Sequence, residues 1–201
     1  ELMSTRRHQS EESLADFACS HVAGQPGACV LIGGLGFGFT LRASLRLLAP
    51  DARVVVAELL KDVIEWNRNP EYALAGDALR DKRVEMRHAD VMTLLRKSTS
   101  MYDAIMLDVD NGTDPLTTSG NASLYREAGI HMAADALKPG GMLAYWSATA
   151  DRAFERALRH AGLQVETKQA SAHAAGGPRH VLFLARRSAS DHASHARTGK
   201  R

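Results

Sequence analysis

The sequence has 201 residues, of which 45% are hydrophobic and 24% charged, and its formal net charge is only +2. This length and composition are typical of one α/β domain with a buried core, and the small charge does not indicate a nucleic-acid partner. No apolar run approaches the roughly 20 residues that a membrane span needs, so we expect no membrane partner either. Two cysteines without disulfide or metal-ligand spacing indicate a reduced, cytoplasmic protein with no metal.

Seven short apolar segments predict β-strands, and helical patterns lie between them. The strands are expected at residues 29–32, 53–57, 84–87, 104–107, 142–146, 163–166 and 180–184. Continuous apolar runs of this length, rich in Val, Ile and Leu in the first four, are typical of strands buried on both faces. Alternation of strand and helix predicts an α/β fold with a doubly wound, mostly parallel seven-stranded sheet.

The helices have recognisable ends. Pro50 and Pro70 stop the segments "TLRASLRLLAP" and "LLKDVIEWNRNP", and "KPGG" at 138–141 predicts a helix stop followed by a turn. In "DRAFERALRHAG", Asp151 is the expected N-cap and Gly162 the C-terminal glycine.

The elements divide the chain into three parts. Residues 1–27 are expected to be an N-terminal remnant with a leading helix, 28–186 a Rossmann-like nucleoside-binding domain, and 187–201 a disordered basic tail.

A glycine-rich loop, "IGGLGFGFT", follows the first strand and precedes a helix. Gly34, Gly36 and Gly38 alternate with other residues, which fits neither the dinucleotide fingerprint nor a Walker phosphate loop. The loop contains no Lys or Arg, so it suits a cationic ligand such as an adenosyl sulfonium better than a phosphate.

Three acids stand at the expected carboxyl ends of consecutive strands. Glu58 could accept the ribose hydroxyls, Asp90 could accept the adenine amine, and Asp108 ends the fourth strand. Each acid alone could be a turn residue or a helix cap. Together, after a glycine loop, they predict a nucleoside-type site.

Five segments resemble the spermidine synthase family of polyamine aminopropyltransferases, which shares the seven-stranded fold of S-adenosylmethionine-dependent methyltransferases. The resemblance runs from about residue 2 to residue 147, and it implies that the last strand is antiparallel. The segments are "VLIGGLGFGFTLRASL", "VVVAELLKDVIEWN", "DKRVEMRHADVMTLL", "YDAIMLDVDNGTDP" and "LYREAGIHMAADALKPGGML".

The resemblance implies a role for each site residue. Asp108 corresponds to the catalytic aspartate, which accepts a proton from the attacking amine. The co-substrate is decarboxylated S-adenosylmethionine or S-adenosylmethionine itself, the partner substrate is a small amine, no metal takes part, and a homodimer is expected. The implied cofactor-binding residues are Gly34, Gly36 and Gly38 for the methionine-derived part, Glu58 for the ribose, and Asp90 with Val91 for the adenine.

Several positions depart from the family's pattern. The glycine loop has Gly36 or its neighbour where the family has an acid, and Asn111-Gly112 stands where the family has a second aspartate and a proline. Asp110 and Asn111 are therefore the predicted substrate-binding residues. On the helix before the first strand, only His21 is comparable with the pair that lines the family's amine groove. The family's N-terminal hairpin domain is missing or reduced to "ELMSTRRHQ".

Three functions stay open at this point. The first is aminopropyl transfer from decarboxylated S-adenosylmethionine to a small amine. The alternatives are an S-adenosylmethionine-dependent methyltransferase of unknown substrate and a non-catalytic relative, and fold analogy alone cannot separate them.

Overall fold

Seven strands form one sheet in a computed structural model that describes residues 8–72, 74–109, 121–173 and 179–189. The spatial order is β3-β2-β1-β4-β5-β7-β6, and β7 runs antiparallel to both of its neighbours while the other pairs are parallel. The fold class and the antiparallel last strand are therefore confirmed. The strands are β1 (Cys29–Gly33), β2 (Arg53–Glu58), β3 (Val84–His88), β4 (Tyr102–Leu107), β5 (Leu137–Ser147), β6 (Gln164–Ser171) and β7 (Arg179–Arg186).

Helices cover both faces of the sheet. Side chains alternate between the faces along each strand, so Val30 and Ile32 pack with Leu14 of α1 on one face, whereas Leu31 packs with Leu95 of α4 on the other. The helices are α1 (Gln9–Cys19), α2 (Phe39–Leu47), α3 (Lys61–Arg68), α4 (Val91–Arg96), α5 (Glu127–Ala136) and α6 (Arg152–His160). No helix among the described residues is long and apolar enough to cross a membrane.

The expected ends of α6 are confirmed. Asp151 accepts hydrogen bonds from the backbone N–H groups of Ala153 and Phe154, at 2.7 and 3.0 Å, and so caps the helix N-terminus. Gly162 follows the helix with φ of +82°, a conformation that glycine adopts without steric cost.

The segment "KPGG" differs from its prediction as a turn. Helix α5 does end before it, but the segment already belongs to β5, where Leu137 pairs with Tyr102. The register then shifts before Ala104 pairs with Met142, and Gly140 with φ of +80° lies in this irregularity. The glycine-rich segment is therefore a strand because it pairs with β4, although its local sequence predicts a turn.

Candidate functional site

The candidate site lies where the strand order reverses, between β1 and β4. In doubly wound sheets a ligand binds at the carboxyl ends of the strands that flank such a reversal. Here the glycine loop crosses that edge: Gly34 N–H donates to the Ala57 carbonyl at 2.8 Å, and Asp108 N–H donates to the Gly33 carbonyl at 3.0 Å. The loop is therefore tied to the ends of β2 and β4 together.

Gly34 and Gly38 are needed for close backbone packing. Gly34 has φ of +92°, and an added Cβ would lie 2.2 Å from the Asp108 carbonyl oxygen. Gly38 has φ of +76°, begins α2, and a Cβ there would lie 2.7 Å from the Ala75 Cβ. These glycines allow the loop to lie directly against its protein neighbours, which fixes the shape of the crevice.

The middle of the loop is held by Asn67, a residue that sequence reasoning missed. Its Nδ2 donates to the Gly36 carbonyl at 2.8 Å and its Oδ1 accepts from Ala75 N–H at 2.9 Å, in a side chain that is 3% exposed. The available signal was its position four residues after Val63, which puts a polar side chain on the buried face of α3.

Glu58 lies at the end of β2 with its carboxylate already held in place. Oε2 accepts from Leu35 N–H at 2.9 Å and Oε1 accepts from Leu60 N–H at 2.8 Å. A carboxylate has about four lone-pair positions, so two acceptor positions remain for the hydroxyls of a ribose. This geometry fits the predicted role.

Asp90 and Val91 lie at the end of β3. Asp90 is the N-cap of α4, because its Oδ1 accepts from Met92 N–H at 2.8 Å. Val91 is 5% exposed and packs beneath the loop, where a Cβ on Gly33 would come within 3.1 Å of it. The cap fixes the orientation of the Asp90 carboxylate, and the predicted contacts of both residues with adenine stay a prediction.

Asp108 follows β4 and lies close enough to Glu11 of α1 for its charge to act on that acid. Burial raises the pKa of Asp108 to about 7. Burial, followed by the negative charges of Asp108 and Glu12, raises the pKa of Glu11 to about 8. Two acids with raised pKa values therefore face each other's negative charge at the end of β4.

Helix α1 carries Glu11 to the crevice by its N-terminal turn. Ser10 Oγ lies 2.8 Å from His180 Nδ1 and accepts from Trp146 Nε1 at 3.0 Å, so α1 is tied to β5 and β7. His21, the residue comparable with the family's groove pair, has its Nε2 3.1 Å from the Asp103 carbonyl oxygen, near the start of β4 and away from the carboxyl ends of the strands. Glu11, at the other end of α1, lies beside the start of α2, because Thr40 Oγ1 donates to its backbone carbonyl at 3.4 Å.

The predicted substrate contacts Asp110 and Asn111 lie outside the described residues. Among the residues that are described, no group of three or more His, Cys, Asp or Glu side chains is arranged to hold a metal ion.

Comparison with known proteins shows which family this sequence matches. The family model described as "Spermine/spermidine synthase domain" matches residues 8–169. A polyamine aminopropyltransferase of Saccharolobus solfataricus is 34% identical over 101 residues, which are 50% of this chain and 32% of that protein. The chain thus spans about a third of the length of this curated relative.

Solved structures show the same fold. Spermidine synthase from Thermotoga maritima matches with a TM-score of 0.68 and 22% identity, over 92% of this chain and 62% of that one. The 1,6-didemethyltoxoflavin-N1-methyltransferase of Burkholderia thailandensis matches with a TM-score of 0.64 and 15% identity, over 90% of this chain and 79% of that one.

Proposed function

Since the chain belongs to the spermine/spermidine synthase family, we propose that it transfers an aminopropyl group from decarboxylated S-adenosylmethionine to a small amine. The observation that carries this proposal is the partly buried Asp108, whose backbone contacts the glycine loop at the reversal of strand order. The similarity to a polyamine aminopropyltransferase supports the same reaction.

The nucleoside half of the donor fits the edge formed by β1, β2 and β3. Glu58 has acceptor positions free for the ribose hydroxyls, and Asp90 is oriented by its helix cap to meet an adenine amine. The loop residues 33–38 carry no positive charge, so a sulfonium can lie against them without repulsion.

The chemistry needs a base beside the attacking nitrogen. An alkyl ammonium resembles Lys, with a pKa of about 10.4, so the acceptor arrives protonated. Asp108 orients the ammonium and accepts its proton, and the nitrogen lone pair then attacks the carbon next to the sulfonium. The carbon–sulfur bond breaks with its electron pair on sulfur, which leaves a neutral thioether and the alkylated amine.

The raised pKa of Asp108 suits this role, because a carboxyl with a pKa of about 7 is a stronger base than an ordinary aspartate. The loop positions the carbon for in-line attack, which accounts for the rest of the expected rate increase.

Calorimetry with S-adenosylmethionine and with its decarboxylated form tests the proposal, together with an assay for 5′-methylthioadenosine formed in the presence of 1,4-diaminobutane. We expect tighter binding of the decarboxylated form and release of the thioether. Preference for the carboxylated form would replace the proposal with methyl transfer. No binding of either form would leave a non-catalytic relative.

A further inference from the structure

We propose that Glu11 is the second carboxylate of the amine site, and that Glu11 and Asp108 together receive the ammonium group of the acceptor. This inference rests on the proposed function, and it assigns a binding role to a residue outside the glycine loop and the strand ends. In this arrangement the cationic nitrogen lies between the two acids.

The backbone of Glu11 is fixed from several sides, so its side chain is well placed for a ligand. Thr40 Oγ1 at the start of α2 donates to the Glu11 carbonyl at 3.4 Å. Gln9 N–H donates to the Ala172 carbonyl at 3.3 Å, and Ser10 joins α1 to Trp146 and His180. These contacts hold the first turn of α1 at the crevice while none of them uses the Glu11 carboxyl.

One oxygen of the Glu11 carboxyl lacks a hydrogen-bond donor in the part of the chain that the structure describes. Its Oε2 is buried and has no hydrogen-bond partner there, and the same is true of the nearby Gln9 Oε1. Buried acceptors without donors are rare in folded proteins, because each has lost its bonds to water without replacement. An ammonium group brings three N–H donors and no acceptor, which matches this deficit.

The charges around Glu11 and Asp108 also favour the binding of a cation. Glu12, the next residue, increases the negative charge at Glu11. The nearby basic groups lie against Glu12 instead of Glu11. His8 Nδ1 lies 3.3 Å from Glu12 Oε1, and Arg46 Nη2 lies 3.8 Å from Glu12 Oε2.

Arg42, another basic residue of α2, stacks over Phe39 and donates to the Leu74 carbonyl. Within the described ranges no ion pair joins a basic side chain to Glu11 or Asp108. A bound ammonium would supply the missing positive charge and allow both acids to ionise.

A matched pair of variants tests the inference. Glu11→Gln keeps the size of the side chain and removes its charge, while Glu12→Gln does the same one residue away, on a side chain that pairs with His8 and Arg46. With decarboxylated S-adenosylmethionine and 1,4-diaminobutane, we expect Glu11→Gln to raise the KM for the diamine about tenfold, the loss typical of a charge-assisted contact. Glu12→Gln should change this KM less than about twofold, and the Kd for 5′-methylthioadenosine should stay the same in both variants.

A proton count gives a second readout that does not depend on turnover. Calorimetry of diamine binding near pH 7 in two buffers of different ionisation enthalpy should show proton release in the wild type and less release in Glu11→Gln. An equal KM for the two variants, or a rise confined to the KM of the donor, would overturn the inference.

The two proposals fail in different ways. If the wild type binds 5′-methylthioadenosine but transfers nothing to the diamine, the proposed reaction is wrong. The affinity for the diamine then tests the role of Glu11 by itself. Weaker binding by Glu11→Gln than by Glu12→Gln supports this role, and equal or undetectable binding in all three proteins refutes it.

Discussion

The acidic side chains on the two sides of the crevice differ in their hydrogen-bond partners and in their pKa values. On the side proposed for the nucleoside, Glu58 accepts two backbone N–H groups and Asp90 caps a helix, so both carboxylates have protein donors before any ligand arrives. On the side proposed for the amine, Glu11 has a buried oxygen without a donor among the described residues, and the pKa values of Glu11 and Asp108 are raised.

This difference follows from what each side would bind. A ribose is neutral and contributes hydroxyl donors. Carboxylates that already accept backbone hydrogen bonds still have lone pairs for these hydroxyls, so they can be satisfied by the protein before the ribose binds. An ammonium carries a full charge, and unsatisfied acids bind it more strongly than acids already neutralised by the protein. The comparison predicts that substitutions on the two sides have separable effects.

The largest effect is expected for Asp108→Asn, which removes the proposed proton acceptor. We expect kcat to fall by about 10²–10⁴-fold while the Kd for 5′-methylthioadenosine changes only a few-fold. Asp103→Asn at the other end of β4 is the control, because its carboxylate binds Cys29 N–H and Lys138 Nζ away from the crevice. Unchanged turnover in Asp108→Asn would show that Asp108 is not the base.

A large effect on stability is expected for Gly34→Ala, since the loop must lie against the end of β4. The new Cβ would meet the Asp108 carbonyl at 2.2 Å, at a backbone φ of +92°. We expect a loss of at least about 3 kcal/mol in the free energy of unfolding, measured by urea denaturation. Gly162→Ala, at φ of +82° with no atom within 4 Å, should lose only about 1 kcal/mol, and equal losses would contradict the close approach.

Glu58→Gln should affect only the nucleoside side. Its amide group would turn one acceptor into a donor facing Leu35 or Leu60 N–H, so we expect about tenfold weaker binding of 5′-methylthioadenosine. The control is Glu85→Gln, because Glu85 is paired with Arg53 at the start of β2. A large change in diamine affinity would show that the two sides are not separable.

The smallest predicted effect concerns pH. Because the pKa values of Glu11 and Asp108 are raised in the folded state, that state binds more protons than the unfolded one, and stability without ligand should fall as pH rises from about 4.5 through 8. Glu11→Gln should therefore be about 1–2 kcal/mol more stable than the wild type at pH 8.5, with the gain vanishing near pH 4. Thermal unfolding at both pH values measures this, with Glu65→Gln as the control, since Glu65 pairs with Lys61 on α3. A gain that persists at pH 4 would point to a cause other than titration.

The site was predictable where the signal was local. Glu58 and Asp108 directly follow apolar runs, and the glycine loop directly follows the first strand, so their meeting at one sheet edge follows from the parallel fold. Asn67 left a weaker signal, as a polar residue on the buried face of α3. Glu11 left none, because the exposed-looking pair Glu11-Glu12 at a helix start is ordinary in sequence.

The sequence by itself determined the fold and the place of the crevice, because apolar periodicity and strand-end residues act over a few positions. Tertiary structure decided which acids are satisfied, since that depends on backbone amides and charges brought together from separate elements. Leu35 N–H reaches Glu58 because β1 pairs with β2, and the charge of Asp108 acts on Glu11 because Ser10, Trp146 and His180 hold α1 against the sheet.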